Sequence, residues 1–328
     1  MHDLGLETIR LPLSTPKTEP HVPILASKNL ATARRVVVVF GEPVQDLGIW
    51  AYRSVGSDSI RQGSAVALAE DIKNKNDATS DKSGGTALVL ANTGQLIWHC
   101  RSRRAVTNAT WLAMPRDSAV EGPPAMSHRN KIPRNENWQE HVACVFDDVL
   151  APRGGLLRED GKIDIIGVSE GGLAAMQYLE NDCECFLFAV IPVPRSLPLL
   201  PAQYESTNHS GLGESWKHRI SAICLANPLH FEGLDISDDS EESDEDGDHS
   251  FADFIASRAR AYVQSGEPVD SPVPGSREFG CNCYSSSEAL YIECIVPRAW
   301  KEMSGWLEKM HANPEYAEPR SVSIDVDE

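Results

Sequence analysis

An α/β fold with a doubly wound, mostly parallel sheet and helices on both faces is predicted by three features of the 328-residue sequence. Short apolar runs rich in β-branched residues recur along the chain, helix-spaced apolar stripes lie between them, and one strand-to-helix junction reads Gly167-Val168-Ser169-Glu170-Gly171. Runs of that kind are strands buried on both faces. Their alternation with helices is the pattern of a parallel sheet with crossover helices packed above and below. With 41% hydrophobic and 24% charged residues, the chain can bury one substantial core, and one large domain is expected.

Residues 1–30 mix Pro, Thr and Lys without periodicity and read as a loosely ordered N-terminal arm. The domain proper is expected over 31–311, with 312–328 as a C-terminal tail. Val36–Phe40 is the first buried strand, ended by Gly41-Glu42-Pro43. From Ser59 to Ile72, the positions of Ala65, Leu68, Ala69 and Ile72 share one helical face, ahead of a polar loop from Lys73 to Gly85. Thr86–Leu90 is the next strand. A long connection rich in Arg, Pro and Trp follows, through Trp98, Trp111 and Pro123-Pro124; loops of that size in a compact domain are functional or act as lids. Trp138, Val142, Val145, Phe146 and Val149 then form a helical stripe that Asn135 or Asn137 can cap. Lys162–Ile166 is a strand, Gly167–Gly171 a sharp turn and Gly172–Leu179 a helix. Further strands are expected at Cys185–Ile191, Ile220–Leu225, Arg260–Val263 and Phe279–Tyr284, before a last helix from Ala299 to Met310.

Strand, Gly-x-Ser-x-Gly, helix is the setting that makes the pentapeptide meaningful. Flanking glycines allow the close strand–helix contact and the strained backbone that lift a serine hydroxyl out of the turn. The fold is therefore expected to be α/β-hydrolase-like, with Ser169 at the nucleophile position and Gly167, Glu170 and Gly171 forming the elbow. A hydrolase of this kind also needs an imidazole to take the serine proton and a carboxylate to orient the ring. In the chain order of the fold, Glu267 or Asp270, just past the Tyr262-Val263 strand, occupies the acid position. The loop from Tyr284 to Pro297, where the histidine belongs, holds none. His311 follows at the end of the terminal helix and is expected on the exposed surface; His99, His128 and His230 fall at other places and read as structural. Ser169 is thus expected to be vestigial, a small residue that fits the elbow. Were it active, backbone N–H groups near Glu170 and Gly41-Glu42 would form the oxyanion hole.

The net charge of −18 is unevenly spread. From Asp235 to Asp248 the run DISDDSEESDEDGD carries nine carboxylates and no base, so residues 235–250 are expected to form a disordered, solvated acidic loop. Ser237, Ser240 and Ser243 are candidate phosphorylation sites within it, which would tune docking of a basic partner. Bulk nucleic acid is disfavoured by this charge, since the phosphate backbone is recognised through positive groups. Arg101-Ser102-Arg103-Arg104 is the strongest local exception. No apolar run approaches the roughly 20 residues of a membrane helix, the start has no signal-peptide pattern, and eight scattered cysteines suit buried thiols in a reducing compartment. Cys183-Glu184-Cys185 and Cys281-Asn282-Cys283 lack the usual spacing of zinc ligands, and Gly84-Gly85 and Gly154-Gly155 lack a phosphate-loop context. Neither a metal nor a cofactor is expected.

Four stretches together resemble the Arb-two domain, found in the Argonaute-binding protein of fission yeast, in relatives of the FAM172 type and at the C-terminus of some fungal class II histone deacetylases. They are Val37–Arg53, Ala91–Leu96 with Arg103–Thr107, Ile132–Val149, and the elbow Ile166–Gly171. Phe279-Gly280-Cys281, Ser285-Ser286 and Glu293-Cys294-Ile295 are similar as well. The resemblance implies an α/β-hydrolase-like fold used for protein association, with Argonaute or silencing-complex subunits as partners, and residence in the nucleus, the cytoplasm or both. Homodimerisation and direct RNA binding stay open. Residues 182–216 depart from the family pattern as an insertion after the elbow helix.

Overall fold

The computed structural model describes residues 2–78, 84–116, 118, 120, 122, 124–151, 156–180, 218–230, 251–274 and 279–319. The expected strand at Cys185–Ile191, the insertion at 182–216, the acidic loop at 235–250 with Ser237, Ser240 and Ser243, and the pair Cys183/Cys185 lie outside them.

In chain order the strands are β1 (Leu6–Leu11), β2 (Val22–Ser27), β3 (Arg35–Phe40), β4 (Thr86–Leu90), β5 (Ile97–His99), β6 (Arg104–Val106), β7 (Lys162–Val168), β8 (Ile220–Ala226), β9 (Ala259–Val263), β10 (Pro272–Val273) and β11 (Asn282–Ser285). The helices are α1 (Tyr52–Ser57), α2 (Val66–Ala78), α3 (Asn108–Leu112), α4 (Trp138–Val145), α5 (Ser169–Glu180), α6 (Phe251–Arg258) and α7 (Ile295–Ala312). Nine strands form one sheet in the order β1-β2-β4-β3-β7-β8-β9-β11-β10, while β5 and β6 pair as a separate hairpin. From β4 through β11 every neighbouring pair is parallel; β1, β2 and β10 are antiparallel to their neighbours. The chain has an α/β-hydrolase-like fold.

Strand alternation sends each side chain to one of two cores. Val36, Val38 and Phe40 of β3 face one side with Ile163, Ile165 and the inner faces of α4, α5 and α6; Val37 and Val39 face the other with Ile166, α2 and α7. β3, β4, β7 and β8 are buried on both faces, which is why each reads as an unbroken apolar run. Phe146 continues α4 into a wider helical turn, and its ring stacks between Phe40 at 5.3 Å and Tyr178 of α5 at 4.3 Å, so that β3, α4 and α5 are keyed together. At the opposite ends of the same strands, Arg35 Nε donates to buried Asp164 Oδ2 at 2.5 Å. Burial raises the Asp164 carboxyl to about 6 against the pull of Arg35.

The N-terminal residues are not a loose arm. β1 and β2 pair over six residues, and Leu6, Leu11, Val22 and Ile24 are buried. Pro23 obscures the second strand, since proline removes a ladder donor. Here β4 pairs with β2 only at Leu25 and Ala26, so Pro23 lies past the end of that ladder, and its carbonyl accepts from Asn92 Nδ2 at 2.8 Å. Two helices begin elsewhere than their patterns suggest: α2 starts at Val66 rather than Ser59, and α7 at Ile295 rather than Ala299, with Pro297 tolerated in its first turn. The tail is engaged as far as Pro319: Glu318 is buried and its N–H donates to Ser257 O at 2.9 Å. Among the described residues no helix is long and apolar enough to cross a membrane.

Candidate functional site

Parallel strands bring the loops after β3, β7 and β8 to one edge of the sheet, and the elbow sits in the middle of them. Ser169 directly follows β7 and begins α5 with φ of 46°, the left-handed region that a non-glycine residue enters at a cost. A Cβ on Gly171 would lie 2.3 Å from Gly41 O and one on Gly167 2.4 Å from Gly172 Cα. Only glycines let the helix start this close to β3 and β7.

The Ser169 hydroxyl is 5% exposed at the residue level and has two partners, neither of them an imidazole. It donates to Glu42 Oε1 at 3.1 Å and accepts from Asn227 Nδ2 at 3.0 Å. Asn227, at φ of 48°, is itself fixed by donating its backbone N–H to Tyr262 O at 3.0 Å. Glu42 is held by Gln45 Nε2 at 3.4 Å, and Thr93 Oγ1 donates to Gly41 O at 2.6 Å, which anchors the turn after β3. Burial raises the Glu42 carboxyl above its ordinary value, hydrogen bonds from Gln45 and Ser169 oppose this, and the charges of Glu170 and Glu293 add to it. The elbow is therefore an acidic place. Glu42 reaches Ser169 through its carboxylate, and Asn227 was not singled out from the sequence at all. Beside them, Leu173, Met176, Leu225 and Leu229 line a hollow of about 10 Å³, roughly the space of one water.

The described histidines stand elsewhere. His311 is half-buried rather than exposed; burial and then the charges of Arg35 and Lys162 push it down to about 4. Arg35 and Lys162 open β3 and β7, so His311 lies at the opposite edge, about 20 Å from the elbow by the rise of a seven-residue strand. His99 contacts Ser102 Oγ at 2.6 Å in the β5–β6 hairpin, and His128 and His230 are exposed. Fully buried His141 was not anticipated. Its Nε2 accepts from Asn92 N–H at 2.9 Å and its Nδ1 lies 2.7 Å from Asn135 Oδ1, and burial pushes it down to about 3, so it is a neutral brace between α4 and the loop after β4.

The acid candidates are likewise engaged apart from Ser169. Asp270 Oδ1 accepts from Tyr262 OH at 2.9 Å and Arg260 Nη1 at 3.1 Å. Glu267 is exposed, and its carbonyl accepts from Ser285 Oγ at 2.8 Å. After β11, where a base would stand, Ser286 is buried and donates to Val263 O at 2.8 Å. Cys281 and Cys283 both enter the same core, and among the described residues no group of three or more candidate ligands could hold a metal ion. Arg101, Arg103 and Arg104 are exposed at the β5–β6 turn and form no ion pair among the described residues.

No curated protein matches the chain. Among solved structures it is similar to a histone deacetylase from Saccharomyces cerevisiae at 9% identity and a TM-score of 0.40, over 92% of this chain and 89% of that one. It is similar to the histone deacetylase Clr3 at 9% identity and a TM-score of 0.40, over 93% of this chain and 36% of that one. The esterase Pf2001 of Pyrococcus furiosus gives 9% identity and a TM-score of 0.37, over 96% and 95%. A family model described as the Arb2 domain matches residues 1–186, which takes in the stretches from Val37 to the elbow that carry the resemblance. With more than half of its residues so matched, the chain belongs to the Arb2 domain family.

Proposed function

We propose that the chain is a non-catalytic protein-interaction module of a gene-silencing assembly, of the kind built around an Argonaute siRNA chaperone complex or around deacetylase-associated heterochromatin formation, in the nucleus, the cytoplasm or both. The observation that carries the non-catalytic half is the pairing of the Ser169 hydroxyl with Glu42 and Asn227. Acyl transfer at a serine needs a base to take the proton, an imidazole in the triad of this fold, and donors to receive the oxyanion. An oxyanion formed at Ser169 would stand beside the Glu42 carboxylate. Two like unit charges about 4 Å apart repel by about 4 kcal/mol at an effective dielectric of about 20. The assembly and its subunits rest on family membership. Purification of the full chain from its native cell, followed by mass spectrometry, is expected to return Argonaute or deacetylase-complex subunits; recovery of metabolic enzymes alone would overturn the assignment.

A second reading, a serine esterase or amidase with Ser169 as nucleophile, is favoured by the left-handed backbone of the elbow, which is costly to keep without a use. Fluorophosphonate labelling decides between the two. Trapping at Ser169 that disappears in Ser169→Ala would establish the enzyme.

A further inference from the structure

The exposed apolar side chains of this molecule are unevenly placed. Among the described residues ten large ones are exposed, and seven of them lie in the segments that follow the C-terminal ends of the parallel strands β3, β8 and β11. Side chains scattered singly over a surface need no explanation, but a set gathered on one edge marks an interaction face. Leu290, Tyr291 and Ile292, after β11, are consecutive and are 73%, 39% and 46% exposed.

A continuous chain of contacts links this triplet to the elbow. The Arg53 guanidinium lies 3.7 Å over the Tyr291 ring and pairs with Glu293 at 3.1 Å. Tyr52, beside it on α1 and 54% exposed, hydrogen-bonds Asp46. Asp46 accepts from Gln95 Nε2 at 2.6 Å, and four residues back Glu42 meets Ser169. Across this face Glu42, Asp46, Glu170 and Glu293 stand against Arg53. Glu170 and Glu293 are close enough to raise the Glu42 carboxyl further.

An apolar face with an acidic surround selects its occupant by sign. Nucleic acid and an anionic membrane surface carry the wrong charge. A second copy related by a two-fold axis would set this face against itself, carboxylate to carboxylate. We infer that the edge over the Ser169 elbow docks a basic, amphipathic segment of a partner protein, its apolar side chains seated on Tyr52, Leu290 and Ile292 and its Lys or Arg side chains on Glu42, Asp46 and Glu170. This inference rests on the non-catalytic, protein-binding reading given above.

The test uses the full chain and a fluorescein-labelled peptide of Leu and Lys, about 18 residues or five helical turns long, with a Leu/Glu peptide of the same pattern beside it. Anisotropy at about 0.15 M salt is expected to show binding of the Leu/Lys peptide alone. The double variants Leu290→Ser/Ile292→Ser and Glu42→Gln/Glu170→Gln should each weaken it by about tenfold or more, as loss of interface anchors does. Asp77→Asn/Asp160→Asn, which removes as much charge from the other end of the molecule, should leave it unchanged. Equal weakening by all three double variants, or by none, would overturn the inference, as would equal binding of both peptides. Variants are compared well below their thermal midpoints; should the glutamate pair lower its midpoint, Glu170→Gln alone takes its place. The two readings fail separately. If silencing subunits co-purify with the Leu290→Ser/Ile292→Ser chain as with the unaltered one, the docking face is wrong and the function stands; if none co-purifies with the unaltered chain, the function falls whatever the peptide does.

Discussion

Glu318 and Glu42 both reach the sheet from outside it, one from the segment after α7 and the other from the turn after β3. Glu318 is met by Arg260, whose Nε donates to both carboxylate oxygens at 2.9 Å and whose Nη2 donates at 2.6 Å; Tyr284 OH and Trp306 Nε1 add bonds at 2.5 and 2.6 Å. The guanidinium also lies 4.0 Å over the Tyr284 ring. Glu42, by contrast, has only a hydroxyl and an amide for partners, with two further carboxylates nearby. The fold holds the Glu318 carboxyl below its ordinary value and the Glu42 carboxyl above it. One is an ionic latch that ties the tail to β9, β11 and α7; the other is a charge the fold tolerates at an open edge. Position at a sheet edge does not by itself mark a site, but the partner does.

Five substitutions bear on that contrast. The largest effect is expected for Glu318→Gln, which leaves buried Arg260 with only the more exposed Asp270 as a counter-charge; side-chain exposures of 12% and 3% make the Arg260–Glu318 pair a buried one, and the loss should be about 4 kcal/mol in urea unfolding. A loss under about 1 kcal/mol would show that the latch is not structural. Next comes Gly171→Ala, whose methyl would meet Gly41 O at 2.3 Å and drive the β3 turn and Glu42 away from Ser169, at about 3 kcal/mol.

Glu42→Gln should act in the opposite direction, stabilising the fold near neutral pH by about 0.5–1 kcal/mol while the amide keeps a bond to Ser169. The pH dependence follows from linkage. Glu42 holds its proton in the folded state above 4.5, where the unfolded chain has released it, so its contribution falls as pH rises from 4.5 through its folded value. Glu318 contributes stability above 4.5 that is lost as pH falls through its lower folded value. Thermal melts from about pH 2 upward should therefore flatten on their neutral side in Glu42→Gln and on their acid side in Glu318→Gln. The smallest effect is expected for the glycine variant at the serine. Ser169→Ala forfeits two hydrogen bonds and should cost about 1 kcal/mol, whereas Ser169→Gly forfeits the same bonds but relieves the φ of 46° and should come out closer to neutral. A glycine variant less stable than the alanine variant would mean that the elbow is not strained.

The central sheet was legible because its strands are buried on both faces. β4 has the bounds its apolar run suggests, and β3, β7, β8 and β9 lie within two residues of theirs. β1 was not, because Glu7-Thr8 and Arg10 interrupt its alternation, and β2 was hidden by Pro23. The elbow could be read from glycine spacing, but the partners of Ser169 could not: Glu42 is 127 residues away in sequence and Asn227 58. Their only signal is positional. Glu42 comes two residues after the end of β3 and Asn227 one after the end of β8, and β7, which carries the serine, lies between those strands. Glu318 gave no pattern at all, since a tail latch depends on Arg260 and Trp306 meeting across the sheet.

The β1–β2 pairing also bears on how the protein is to be handled in the laboratory. Shortening the chain to Arg35, where the strongest apolar run begins, would strip two strands from the sheet and bare the outer rim of β4, whose unclaimed amides and carbonyls could then recruit strands from neighbouring molecules. Poor solubility of such a shortened protein would reflect that missing border rather than an unstable interior.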